Sequence, residues 1–171
     1  MPGQTLADAQ ALTSFVGLLA SASEERPGGD GVMVVVAHPD DETIGIGGQL
    51  RRLRRAKIVH VTDGAPRNMD DARTHGFMTW QAYAEARRRE LEAAMAEAGI
   101  SASALIALDV PDQEAARCMP ALAETLGDLF QRHQIRFVCT HPYEGGHPDH
   151  DAIAFAAAAA CRAIVWPRIA N

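Results

Sequence analysis

Short runs of β-branched and aliphatic residues alternate along this chain with longer stretches whose apolar residues recur every three or four positions. Val32 to Ala37 is apolar without a break, the pattern of a strand buried on both faces of a parallel sheet. Ile58 to Thr62, Ala104 to Leu108 and Arg136 to Thr140 read as three further strands. Between them lie helical periods. Leu6, Leu12, Phe15, Val16 and Leu19 mark an opening helix. Trp80, Tyr83, Arg87, Leu91, Ala94, Met95 and Ala98 mark another, stopped by Gly99 as a natural C′ residue. Leu122, Leu126, Leu129, Phe130 and His133 predict a helix with Pro120 at its start, and Asp151 to Ile164 an Ala-rich one. A helix over Thr43 to Arg55 is expected after the first strand, although Gly45, Gly47 and Gly48 weaken it while letting another group approach closely. Glu24 to Gly31 reads as a linker turn; Ala65 to Phe77 and His141 to His150 carry no period and read as loops. Strands alternating with helices predict an α/β fold: a Rossmann-like three-layer sandwich with a mainly parallel sheet, flanked by helices and joined by right-handed crossovers. Residues 1–171 are expected to form a single domain.

Composition narrows the functional classes. Apolar residues make up 47% and charged residues 22% of 171, as in ordinary globular proteins. A net charge of −6 argues against a broad nucleic-acid surface, and Arg51-Arg52-Leu53-Arg54-Arg55, at helical spacing, is most simply a solvated face. Cys118, Cys139 and Cys161 are odd in number and form no CxxC motif, which points to reduced thiols and a cytoplasmic setting. Ser14 to Ala22 resembles a signal-peptide core but lacks a positive flank, since no Lys or Arg precedes Arg26. No apolar stretch is long enough to span a bilayer.

The chemistry concentrates at two strand ends. The first strand runs into His38-Pro39-Asp40-Asp41-Glu42, and the fourth into Thr140-His141-Pro142-Tyr143-Glu144-Gly145-Gly146-His147-Pro148-Asp149-His150. In a doubly wound sheet such loops gather at one edge, where ligands bind. His38 and Asp41 are three apart, as are His147 and His150, so each pair can present two donors to one cation. The expected ligands are His38, Asp41 and His150, leaving an open coordination position for a water of lowered pKa. Asp40, beside a ligand but directed elsewhere, is the expected proton acceptor; His147 would stabilise an oxyanion or protonate a leaving amine. Asp149 is placed to orient a ligand histidine. Zn²⁺ is the expected ion, and Fe²⁺ suits the same donors.

The bland readings differ from site to site. One His-Pro-Asp alone would usually be a turn with a capping acid; two strand-terminal copies, each with a second donor three residues on, favour the metal. A dinucleotide site fails, because His-Pro-Asp-Asp stands where G-x-G-x-x-G is needed. His60, on a strand, reads as a core residue with a partner; His75 and His133 read as structural or solvated. His141 is balanced between substrate contact and loop anchor. Asp63 and Asp112 individually read as turn residues, and Arg87, on an apolar helix side, as a snorkelling chain or a substrate contact.

Ala37-His38-Pro39-Asp40-Asp41-Glu42 together with Gly146-His147-Pro148-Asp149-His150 resembles the PIG-L/LmbE-like de-N-acetylases, from about Val32 to Ala160. Thr62-Asp63-Gly64, Arg87 with Glu90 and Leu91, and Pro111-Asp112 extend the similarity. The resemblance implies a metal-dependent hydrolase that removes an N-acyl, typically acetyl, group from an amino sugar. His38, Asp41 and His150 would hold zinc, Asp40 would be the base and His147 the acid or oxyanion stabiliser. Arg87 and Asp112 would contact the sugar, and Tyr143 would match an active-site tyrosine. The expected partner is a small N-acylated sugar, with no nucleic acid and no membrane; homo-oligomerisation is left open. Members of this family usually continue past the helix at His150, whereas this sequence stops at Asn171 after Trp166-Pro167. That predicts an incomplete pocket wall and opens an alternative: a sugar- or metal-binding module without hydrolysis. A metal hydrolase acting on esters or peptides is the third reading.

Overall fold

The computed structural model describes residues 6–20 and 28–165. The first part of the linker turn and Trp166-Pro167 lie outside the described residues. Four strands form one parallel sheet: β1 (Val32–Val36), β2 (Lys57–Thr62), β3 (Leu105–Val110) and β4 (Phe137–Thr140), in the order β3-β2-β1-β4. The helices are α1 (Leu6–Ala20), α2 (Asp41–Leu50), α3 (Asp70–Thr74), α4 (Trp80–Glu97), α5 (Met119–Arg132) and α6 (Pro148–Val165). The α/β sandwich expected from the alternating pattern is the fold observed.

The unbroken apolar run of β1 follows from its central position. Strand alternation sends Met33, Val35 and Ala37 to one face, with Val59 and Val61 of β2, against Leu122, Leu126 and Phe130 of α5 and Ile153 and Ala156 of α6. Val34 and Val36 face the other way, with Ile58, against Leu50 of α2 and Leu91 and Met95 of α4. Val32 meets Leu53, Ala56 and the α1 residues Phe15 and Leu18, and Phe15 stacks on Phe137 at 4.7 Å. The outer strands β3 and β4 are only half-buried, so their sequences carry weaker apolar signals.

Three departures from the sequence reading have local causes. The helix expected over Thr43 to Arg55 ends at Leu50, and Ile46 within it is non-helical (φ −136°, ψ 18°), in the glycine-rich stretch. The basic run therefore lies in turns: Leu53 is buried, Arg52 donates to Gly48 O, and Arg55 pairs with Asp30 at 2.9 Å. The loop Ala65 to Phe77 contains α3, whose first-turn acids Asp70 and Asp71 suit the positive helix end; five residues are too few to show a period. α6 starts three residues earlier than expected, with Pro148 as its first residue. Gly99, at φ +77°, closes α4 in a conformation other residues rarely adopt.

Because Leu126 is fully buried between the sheet and the α5–α6 layer, Leu126→Ala should lower unfolding free energy by about 2–5 kcal/mol in urea denaturation. A loss under about 1 kcal/mol would mean that this layer is not packed as described.

Candidate metal centre

Four segments meet beyond the carboxyl ends of the strands. The β1–α2 turn brings His38, Asp40 and Asp41; the turn after β3 brings Asp112; the end of β4 brings His141; and the start of α6 brings His147, Asp149 and His150. Pro148 opens α6 where no N–H is needed, so His147 and His150 sit one turn apart, their rings 4.8 Å apart.

Asp41 is the hub of one half. Its Oδ2 accepts from the His38 backbone N–H at 2.7 Å and stands 3.2 Å from His38 Nδ1 and 3.5 Å from His141 Nε2. Its Oδ1 lies 3.4 Å from His150 Nε2. His38 Nε2 points into the other half, 3.2 Å from Asp112 Oδ1 and 3.4 Å from Asp149 Oδ2. The ring of His38 meets His147 edge-on at 4.8 Å and His150 at 5.3 Å. Three overlapping donor sets have the spacing to hold a metal ion: His38, His147 and His150; Asp41, His141 and His150; and His38, Asp112 and Asp149. The trio His38, Asp41 and His150 shares two members with each of the first two sets.

The donors fit a divalent cation for a second reason. His38 Nε2 and Asp112 Oδ1 are buried, face each other at 3.2 Å and make no hydrogen bond. Buried polar atoms are rarely left in this state; an ion with nitrogen and oxygen ligands would satisfy both.

Electrostatics point the same way. Burial alone would lower the His38 pKa, but the carboxylates of Asp112, Asp149 and Asp41 outweigh it and push it up to about 11. Burial works against ionised Asp41 and Asp149, yet the His38 and His141 rings beside Asp41, the His38 ring beside Asp149, and the backbone N–H groups each accepts from hold both below the usual carboxylate range. The cluster therefore calls for positive charge, which a proton on His38 or a bound cation can supply. Burial pushes the Asp40 carboxyl above its ordinary value; the Arg87 guanidinium opposes this and Asp41 adds to it.

The supporting contacts are specific. Asp149, fully buried, accepts from the backbone N–H groups of Gln113 (2.7 Å) and Ala115 (3.1 Å), which moors the Asp112 turn to α6. His141 Nε2 accepts from the Ala37 N–H at 3.0 Å, extending the β1–β4 ladder by a side chain in the geometry of a loop anchor. His147 Nδ1 accepts from the Asp149 N–H, so in the neutral ring the proton is on Nε2. His60 is a core residue with a partner, its Nε2 2.8 Å from Glu42 Oε2.

Not every candidate joins the cluster. Tyr143 is exposed, its ring against Phe155 at 5.1 Å. Arg87 lies beside the cluster, bonded to Asp40 and to backbone carbonyls. Sequence reasoning gave Asp112 no ligand role, since a lone Pro-Asp carries no spacing signal, and it passed over Glu144, whose Oε1 is 3.5 Å from His150 Nδ1. A cavity of about 320 Å³ is lined by residues of α4 and of β2 and β3, Leu91, Leu105 and Ala107 among them, and reaches Pro39 beside His38.

The model of one family, described as GlcNAc-PI de-N-acetylase, matches residues 33–161, the span that contains both histidine motifs. The chain belongs to the PIG-L family. No curated protein matches it significantly. Among solved structures, similarity extends to a conserved protein of Thermus thermophilus, at 27% identity and a TM-score of 0.59 over 77% of this chain and 55% of that one. GalB, the 4-carboxy-2-hydroxymuconate hydratase of Pseudomonas putida, matches at 25% identity and 0.59 over 75% and 54%. The N,N′-diacetylchitobiose deacetylase of Pyrococcus horikoshii shares the fold at 24% identity and 0.59, over 94% and 60%. The chain thus spans little more than half the length of these structures.

Zn²⁺ titrated into chelator-treated protein should bind at about one ion per chain, raise the melting temperature and, since His38 must deprotonate, release a proton and bind more tightly as pH rises below about 11. Calorimetry in two buffers of different ionisation enthalpy reads the proton; His38→Ala should abolish the binding. Asp149→Ala should cost about 2–5 kcal/mol in chemical denaturation, because two buried N–H groups lose a charged acceptor.

Proposed function

We propose that this chain carries the metal centre of a hydrolase that removes an N-acyl group, chiefly acetyl, from an amino sugar or related small glycoside. The observation that carries the reading is the convergence of the two histidine motifs on one buried, acid-rich cluster with orphaned donor atoms. The family description, a de-N-acetylase of an N-acetylglucosamine compound, supplies the substrate class.

His38, Asp41 and His150 would hold the ion, Zn²⁺ in the first instance. Bound there, it would act as a Lewis acid on a water and on the amide carbonyl. Asp40 accepts the proton of the attacking water. Its carboxyl is half-exposed, adjacent in sequence to Asp41, and paired with Arg87 at 2.9 Å. His147 faces the same cluster with its Nε2–H free of the Asp149 contact, which suits donation to the oxyanion as the amide carbon becomes tetrahedral. Protonation of the leaving amine then falls to His147 or to Asp40 once it has taken the water's proton. The buried Asp112 carboxylate bounds the cluster on the side opposite Asp41, against His38 Nε2, which suits holding or orienting that donor better than an open sugar contact.

A second reading follows from the hydratase among the structural neighbours, at 25% identity: the same metal and base would add water to a carbon–carbon double bond. A third is ligand binding without turnover, in which the same donor cluster holds a metal and a sugar but does not hydrolyse. Acetate release from a panel of N-acetylglucosaminides by the Zn²⁺-loaded chain separates the three. Hydration of an unsaturated tricarboxylate without acetate release favours the second, and metal and sugar binding without turnover the third. Under the leading reading, Asp40→Ala keeps its metal and loses about 10²–10⁴-fold in kcat; full turnover in that variant removes Asp40 from the proton-accepting role.

A further inference from the structure

Arg87 has both terminal nitrogens engaged by protein groups at the strand ends. It projects from α4 between two strand-end loops, with 16% of its side chain exposed. Nη2 donates to Asp40 Oδ2 at 2.9 Å and to Pro39 O at 3.2 Å, and Nη1 donates to Gly64 O. One planar guanidinium thus bonds the β1–α2 turn, the turn after β2 and the Asp40 carboxylate at once. Tyr83, one turn earlier on α4, places its ring centroid 6.0 Å from the guanidinium carbon.

Gly64 makes the arrangement fit. It sits at φ +62°, and a Cβ there would collide with the guanidinium and stand 2.8 Å from Pro39 Cδ. Asp40 has no other side-chain partner among the described contacts that would fix its rotamer, and its carboxyl is 53% exposed. A base within reach of solvent and of a strongly acidic neighbour needs such a tether to keep one orientation, and two fixed donors on Arg87 restrict both its angle and its position.

We propose that Arg87 is a positioning residue, which acts through Asp40 by holding its carboxylate in one orientation, and that Gly64 provides the space for its guanidinium. The inference rests on the reading of Asp40 as the proton acceptor. It predicts the opposite kinetic signature from a sugar contact: an arm that orients the base changes kcat, whereas one that grips the substrate changes KM.

The test uses the Zn²⁺-loaded full chain and N-acetylglucosamine glycosides. Arg87→Ala should lower kcat about 10- to 100-fold with KM and metal content unchanged, and added guanidinium should restore part of the loss. Arg87→Lys, a point charge without the fork, should recover little. Gly64→Ala, if it folds, should show the same kcat loss with Arg87 still present, and guanidinium should not rescue it. Independently of activity, Arg87→Ala should lower the melting temperature more in the wild-type background than in Asp40→Ala, where one of its bonds is already gone. A raised KM at unchanged kcat, or equal melting losses in both backgrounds, overturns the proposal. Absence of acetate release from the wild-type chain would instead overturn the hydrolase reading, and the melting comparison would still decide whether Arg87 holds Asp40.

Discussion

Everything at the strand ends depends on the negative charge gathered around one buried imidazole. His38 leaves β1 with Asp41 against one ring nitrogen and Asp112 and Asp149 against the other. Two of those three carboxylates are held ionised against burial. Such a group is stable only with compensating positive charge close by, because repulsion between like charges grows as water is excluded. A proton raised to a pKa of about 11 on His38 is one solution, and a divalent ion in the same cluster is the chemically useful one.

The frame that brings these groups together is stiff where it must be. β1 lies between β2 and β4 and is packed on both faces, so the position of His38 is set by the core and not by its loop. Asp149 moors the Asp112 turn to α6, and the His141 side chain continues the β1–β4 ladder by one bond. The more open element is Asp40, on the solvent side of the same turn. There the constraint comes from Arg87, reaching over from a helix 47 residues away in sequence. The buried candidate donors are thus fixed by the hydrophobic core, and the exposed Asp40 carboxylate by a guanidinium.

Much of this was legible beforehand because the signals were local and periodic. The doubly buried β1, the helix from Trp80 stopped by Gly99 and the α5 period each survive as written, since burial on a sheet or helix face imposes its repeat on the sequence. The two His-x-x motifs were legible because a shared cation would need donors at fixed spacing. The five-residue α3 and the early end of α2 were not, as short elements and glycine-weakened helices are decided by tertiary packing.

Neighbouring residues alone carry the α/β order, the family resemblance and the spacing of the two histidine motifs, since strand burial and donor spacing are local properties. Folding is what sets Asp112, from the turn after β3, against His38 Nε2, extends the ladder from Ala37 to His141, turns Tyr143 to Phe155 and brings Arg87 onto Asp40. Each of these contacts joins segments that the strand order β3-β2-β1-β4 and the helix packing bring together, except Tyr143, which meets its own following helix. A lone acid, histidine or arginine carries no mark of the partner that folding will set opposite it.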